Sequence, residues 1–272
     1  VAQSMISDAV AAMEQAITRY PGHQPFVYGL AELQIRTDIN QAARRNIEKL
    51  LALDPPYTPA YLLGGQLARK EGDIELARRY LTVYTKAEPG RVDGWASLSG
   101  SYVDTGDTAG AIKSLEAGVA AVPDEPRLRF ELASLHESVG DIEAANASYR
   151  AALEQDQDYL PVLDNLASNL LDMNKDIDEA YEYAKKAYAM SPEDPYIVDV
   201  WGWARYRKGE LKEAKELLEV AVEGMRGSGR ADYHLGLTLR DLGDKGSAAA
   251  HFKDALKKGM RDRQKIKVQE AH

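Results

Sequence analysis

Between Val92 and Pro123 the apolar positions fall into two helical stripes with a break between them. Trp95, Leu98, Ser99 and Tyr102 stand at i, i+3, i+4 and i+7, which is one face of a helix. Gly106 stops that helix, because glycine enters the left-handed backbone region without steric cost. Asp107 is placed to cap the next helix, its carboxylate accepting from the free amides of the first turn. Ala111, Leu115 and Gly118 then form a second stripe, and Pro123 closes the unit and sets the turn into the next one. The pattern predicts an antiparallel pair of helices.

The same unit returns along the chain. Pro21, Pro55, Pro89 and Pro123 are 34 residues apart, and so are Ala9, Ala43, Ala77, Ala111 and Ala145. Ala180 follows after 35 residues, then Ala214 and Ala248 after 34 each. The turn recurs as Gly72-Asp73, Gly106-Asp107, Gly140-Asp141, Gly209-Glu210 and Gly243-Asp244. Small residues follow the main apolar position of each first helix: Ala31, Gly65, Ser99, Ala133, Ala167, Gly202 and Gly236. They let the two helices of a pair approach closely. A fixed period of this length predicts an all-α fold, an α-solenoid of stacked helical hairpins in which each unit packs mainly on its neighbours.

Seven hairpins are expected, at 24–55, 58–89, 92–123, 126–157, 160–192, 195–226 and 229–260. The hairpin at 160–192 carries one extra residue near Asn174, Lys175 and Asp176. Residues 1–23 supply only the second helix of a unit whose first helix is missing. That predicts either a fragment of a longer protein with further repeats upstream or a natural terminus whose helix faces solvent on one side, and an uncapped apolar end through which two copies could pair at Met13 and Ile17. Residues 261–272 read as a charged extension or cap.

Composition narrows the chemistry. The chain has a net charge of −9 and a pI of about 5.2, which argues against a nucleic-acid partner. It has no cysteine, so disulfides, thiolate catalysis and cysteine zinc sites are excluded. No apolar run approaches the ~20 residues needed to span a bilayer. None of His23, His136, His234, His251 and His272 has another histidine three or four residues away, so no metal site is expected. No phosphate loop, dinucleotide glycine pattern or nucleophile elbow is present. The reading is a non-enzyme without a cofactor.

Trp95, Leu98, Ser99, Tyr102, Ala111, Leu115, Gly118 and Pro123 together resemble the tetratricopeptide repeat consensus, with Gly118 where the family usually has a third small alanine. The resemblance covers about residues 4–260. It implies a right-handed solenoid over 24–260 whose first helices line a concave face that binds a protein or peptide. On that footing the strongest candidate contacts are Tyr196, Trp203, Tyr206, Arg207, Tyr233, His234 and Arg240, because aromatic residues and arginine dominate binding energy at interfaces. Trp203 stands two residues after the packing position held by Trp201, and the expectation is that it opens into the groove. A secondary zone, mixed but basic-leaning, holds Tyr28, Arg36, Arg69 and Lys70, with Glu32 and Gln66. An acidic middle zone holds Asp93, Asp104, Glu131, Glu137, Asp164 and Asp172. The carboxylate clamp of some co-chaperone members is not matched: Asn165 fits one position, but Asp164 stands beside it and Ser168 replaces the second asparagine.

The run from Asp199 to Gly209, with Tyr233-His234-Leu235-Gly236, is similar to the C-terminal repeats of bacterial envelope repeat proteins. Those include lipoproteins and periplasmic scaffolds of exopolysaccharide synthesis and export. The similarity implies a scaffold in the periplasm or at the outer membrane, with polysaccharide-export proteins as partners. The alternatives are a cytoplasmic adaptor or co-chaperone, and a targeting module of a larger enzyme. A signal peptide with a lipid-attachment cysteine, a plain soluble start, or a long catalytic extension in the full-length gene separates the three.

Overall fold

Each turn glycine of the predicted pattern does adopt left-handed backbone, and helices begin and end around it. A computed structural model of the chain describes residues 2–258, with side chains from Asp8 onward; the segment 261–272 lies outside the described residues. Those residues form fifteen helices and no strand. They fall into two units, 1–145 and 146–272, with the division inside α9 (Ile142–Gln155). Unit 1 contains α1 (Ala2–Arg19), α2 (Gln24–Arg36), α3 (Asn40–Leu51), α4 (Pro59–Glu71), α5 (Ile74–Ala87), α6 (Val92–Val103), α7 (Thr108–Ala121) and α8 (Pro126–Ser138). Unit 2 contains α10 (Leu160–Met173), α11 (Ile177–Met190), α12 (Pro195–Arg207), α13 (Leu211–Gly224), α14 (Gly229–Asp241) and α15 (Lys245–Lys258). Even-numbered helices are the first members of the pairs.

The turns work as the residues dictate. Gly72, Gly106, Gly140, Gly209 and Gly243 have φ between 74° and 92°. Asp73, Asp107, Asp141 and Asp244 each accept a backbone amide three residues on, at 2.8–3.1 Å. Glu210 does not cap α13; its longer side chain turns to Arg205 Nη1 at 2.8 Å. The extra residue of the 160–192 hairpin is absorbed by two left-handed residues, Asn174 (φ 56°) and Asp176 (φ 46°).

The small residues set how closely the helices pack. A Cβ on Gly65 would stand 2.5 Å from Leu81, one on Gly202 2.8 Å from Leu218, and one on Gly236 2.6 Å from Phe252. No such contact is tolerated, so each glycine is fixed by the large residue of its partner helix. The alanines at 43, 77, 111, 145, 180 and 214 are fully buried. Ala9, in the same register, is exposed: α1 packs on α2, the first helix of the next pair, and Ala9 lies off that contact. Met13 is half-buried and packs against Gly29 of α2.

Candidate functional site

In unit 1 the first helices α2, α4, α6 and α8 wall an open groove of about 400 Å³. Leu62 and Leu63 form part of its floor, and Ala96 and Ser97 part of a wall. Polar side chains crowd the rest. Tyr28 lies edge-on to Tyr57, with ring centroids 6.0 Å apart, and its hydroxyl pKa is raised by burial and then by the charge of Glu32. Glu32 is exposed. Arg127 pairs with Glu131 at 3.0 Å and approaches Asp93 at 3.7 Å.

Two of the cations expected at this end are tied to neighbouring repeats. Arg69 donates twice to Asp104 one repeat further on, at 2.7 and 3.1 Å. It reaches there by lying across Gly100, whose missing side chain leaves the path open. The hydrogen bond from Arg69 holds the Asp104 carboxyl below the usual carboxylate range. Lys70 reaches back one repeat, to the carbonyl of Ile35 at 2.7 Å and to Asp38 at 2.6 Å, and so caps the C-terminal end of α2. Arg36 remains exposed. The groove itself is of mixed charge, with Glu32, Asp93 and Glu131 set against Arg69 and Arg127.

Unit 2 corrects an expectation. Trp203 is 6% exposed, Tyr233 7% and His234 0%. Trp203 does not open outward; its ring lies parallel to His234 at 4.3 Å and to Tyr206 at 4.7 Å, between the two. The physical reason is that a first helix in a stack is flanked by another first helix. The face of α12 turned away from α13 therefore meets α14 rather than solvent. Trp201 is buried as expected, against Tyr181 and Tyr188. Tyr196 is 56% exposed and keeps its place as a candidate contact.

The remaining candidates carry ties between repeats. The Tyr206 hydroxyl donates to Asp241 at 2.7 Å, and burial and that carboxylate push its pKa up to about 12. Arg240 pairs with the same Asp241 at 2.9 Å. Arg207 lies over the Trp203 ring and donates to the Leu171 carbonyl and the Asn174 side chain, closing the end of α10 as Lys70 closes α2.

A group that the sequence reading left unassembled lies beneath the aromatic stack. His234 Nδ1 donates to Asp199 Oδ1 at 2.8 Å, with both residues fully buried. Arg230 Nε faces the other oxygen of Asp199 at 2.8 Å. Asp164, on the preceding first helix, is held up to about 6 by burial and by the charges of Asp199 and Asp194, against the opposing pull of Arg230. The available signal was the spacing: Asp164, Asp199 and His234 follow one another at intervals of 35 residues on successive first helices. Among the described residues no cluster of histidine and acidic side chains forms a metal site, and no helix is long and apolar enough to cross a membrane.

Paired helices at a fixed repeat, with first helices that leave a polar groove open, define an interaction solenoid. The tetratricopeptide repeat profile matches residues 62–126, 97–159, 130–195 and 200–263, and the chain belongs to that family of protein-interaction scaffolds. It is 24% identical over 168 residues to the TPR repeat-containing protein PA4667 of Pseudomonas aeruginosa, covering 61% of this chain and 28% of that protein. It therefore spans little more than a quarter of that relative's length. Among solved structures, MamA matches with a TM-score of 0.52 at 25% identity, over 62% of this chain and 92% of that one. YrrB, described as a TPR protein with an unusual peptide-binding site, matches with a TM-score of 0.55 at 13% identity, over 70% and 97%.

Proposed function

We propose that the unit 1 groove seats an extended segment of a partner protein, so that the chain acts as a non-catalytic adaptor. The observation that carries this reading is the groove itself, about 400 Å³, open along four successive first helices and lined by polar side chains that the core does not need. Glu32 and Arg127 are exposed and stand on opposite walls, on α2 and α8. A segment laid between them meets alternating charge along its length, which favours a partner carrying both signs over a uniformly basic or acidic one. Membership of the family, and the peptide-binding description of YrrB, support the same reading. An adaptor is compatible with every relative named above; none of them lends weight to a role in exopolysaccharide export.

The test is capture of partners by cross-linking in cells, followed by mass spectrometry, with the chain and with the double variant Glu32→Lys, Arg127→Glu. Both residues are exposed, and the surface pair of Arg127 with Glu131 is worth about 1 kcal/mol at most, so melting should fall only slightly. The main captured partner should fall at least tenfold in the variant. Equal capture by both proteins would move the binding surface elsewhere.

A further inference from the structure

Two second helices carry matching strips of opposite charge on their outer faces. On α5 the strip is Glu75, Arg79, Val83 and Lys86; on α13 it is Lys212, Glu216, Val220 and Glu223. Each residue of the first strip holds the same position of the repeat as its counterpart in the second, four repeats further on. Steps of four, four and three residues put each strip on one helical face. Val83 is 42% exposed and Val220 57%, and the six charged residues are exposed as well. Arg79, Lys86, Lys212, Glu216 and Glu223 have no ion pair among the described residues, and Glu75 stands 3.7 Å from Arg78.

Stacking of the repeats does not call for these strips. The position of the two valines is held by Gln15, Lys49, Ala117, Ala151, Lys186 and Asp254 on the remaining second helices. Beside the strip on α5 lies an open cavity of about 650 Å³, lined by Tyr61, Tyr80 and Tyr102 and bordered by Arg79 and Val83. Arg78, also at this cavity, is already tied: its guanidinium lies over Tyr102 at 4.1 Å and donates to the Ser101 carbonyl at 3.1 Å. Aromatic rings around an apolar residue, with charge at the edge, are the composition of a protein–protein contact. An anionic membrane or a nucleic-acid backbone would meet Glu75 as a like charge. A partner that sets its charges residue by residue does not. The strip on α13 has that arrangement, with lysine to meet Glu75, glutamate to meet Arg79 and Lys86, and valine to meet Val83.

We propose that α5 of one chain docks on α13 of a second copy, the two helices running parallel, with Val220 of the second copy set against Val83 at the tyrosine-lined cavity. In that register Glu75 faces Lys212, Arg79 faces Glu216 and Lys86 faces Glu223. The antiparallel arrangement also brings unlike charges together, but it leaves Glu75 and Lys212 without counterparts, which decides the direction. Each chain carries both strips, so the contact repeats from chain to chain or is made twice in a dimer. It is small and rimmed by exposed charge, so it is weak and loosens as salt rises. Neither strip lines the groove of unit 1, and Met13 and Ile17 take no part in this contact.

The test is sedimentation velocity of the full chain over a range of concentrations, at low and at moderate salt. The weight-average sedimentation coefficient should rise with concentration at low salt and fall back when salt is added. Arg79→Glu with Lys86→Glu makes the α5 strip acidic; Glu216→Arg with Glu223→Lys makes the α13 strip basic. Each double variant alone should associate at least tenfold more weakly than the parent. An equal mixture of the two should recover the parent's association, since each reversed strip then meets its opposite on the other chain. Glu75→Lys should weaken association at least threefold; unchanged or stronger association overturns the parallel register. A chain that sediments as one molecule at every concentration overturns the proposal. So does association that survives both double variants, which places the contact elsewhere, and so does a mixture that fails to recover. Loss in the α5 variant with none in the α13 variant gives α5 a different counterpart and overturns the assignment of α13. The four reversed positions are exposed; should a reversal still fail to fold by circular dichroism, Arg79→Gln and Glu216→Gln take its place, and undiminished association in either overturns the proposal. The groove variant Glu32→Lys, Arg127→Glu should leave sedimentation unchanged, which separates failure here from failure of the groove reading.

Discussion

Asp164→Asn should make the protein more stable, and only above mildly acid pH. In the unfolded chain this carboxyl titrates at 3.8; in the folded chain it titrates at about 6, because burial and the nearby charges of Asp199 and Asp194 oppose ionisation more than Arg230 favours it. The folded state therefore holds the proton more tightly than the unfolded state does. Below 3.8 both states are protonated and the site costs nothing. Between 3.8 and about 6 the unfolded chain gives up its proton first, so stability falls as the pH rises. Above about 6 the penalty is complete, and the gap of roughly two pKa units is worth about 3 kcal/mol at 1.36 kcal/mol each. Asparagine keeps the shape and cannot ionise, so it escapes the penalty.

The assay is urea unfolding of both proteins at intervals from pH 4 to pH 8, followed by tryptophan fluorescence. Trp201 and Trp203 lie in unit 2, close to the substitution, and report the transition where it matters. The difference between variant and parent cancels the pH dependence of every other group. It should be near zero at the acid end, open between pH 4 and 6, and level off at about 3 kcal/mol in favour of the variant. A difference that does not change with pH would show that Asp164 is not held in its neutral form. A parent more stable than the variant at pH 8 would show that Arg230 outweighs burial.

The other expectations are smaller in scope. Trp203→Ala removes a ring held on both faces, and should cost about 3–5 kcal/mol of folding stability; a melting point within a degree of the parent would contradict its placement in the stack. Asp107→Ala loses the hydrogen bond to the Gly110 amide at 2.8 Å and should cost about 1 kcal/mol in urea unfolding, whereas Glu210→Ala removes no cap at all. Equal losses from the two would argue that the acidic residue acts through charge at the helix start and not through the cap.

The repeat was legible because its signals are contact distances written as residue size. Gly65, Gly202 and Gly236 are small for one reason each, a Leu81, Leu218 or Phe252 side chain that already fills the space. Five of the turns were legible because glycine accepts their left-handed backbone without strain. What faces outward was less legible. Trp203 stands on a different helical face from Trp201, but in a stack that other face is not solvent; it is covered by the next first helix. The same geometry hid the work of Arg69 and Lys70, whose partners stand about one repeat away and cannot be paired by local spacing.

The ordinary rules of burial are most informative where they fail. Elsewhere in unit 2 the buried positions of first helices are mostly Leu, Val, Ile, Ala and Gly, as stacking alone demands. At Asp164 and Asp199 the chain instead places two carboxylates in a row, with Arg230 beside them and hydrogen-bonding atoms left unpaired. Replacing such a group by well-packed apolar residues is commonly neutral or stabilising. Stacking therefore does not account for it. The penalty is kept in the folded state at a place where a neutral carboxamide is expected to be more stable than the native acid, so local consistency of sequence and fold is broken at Asp164.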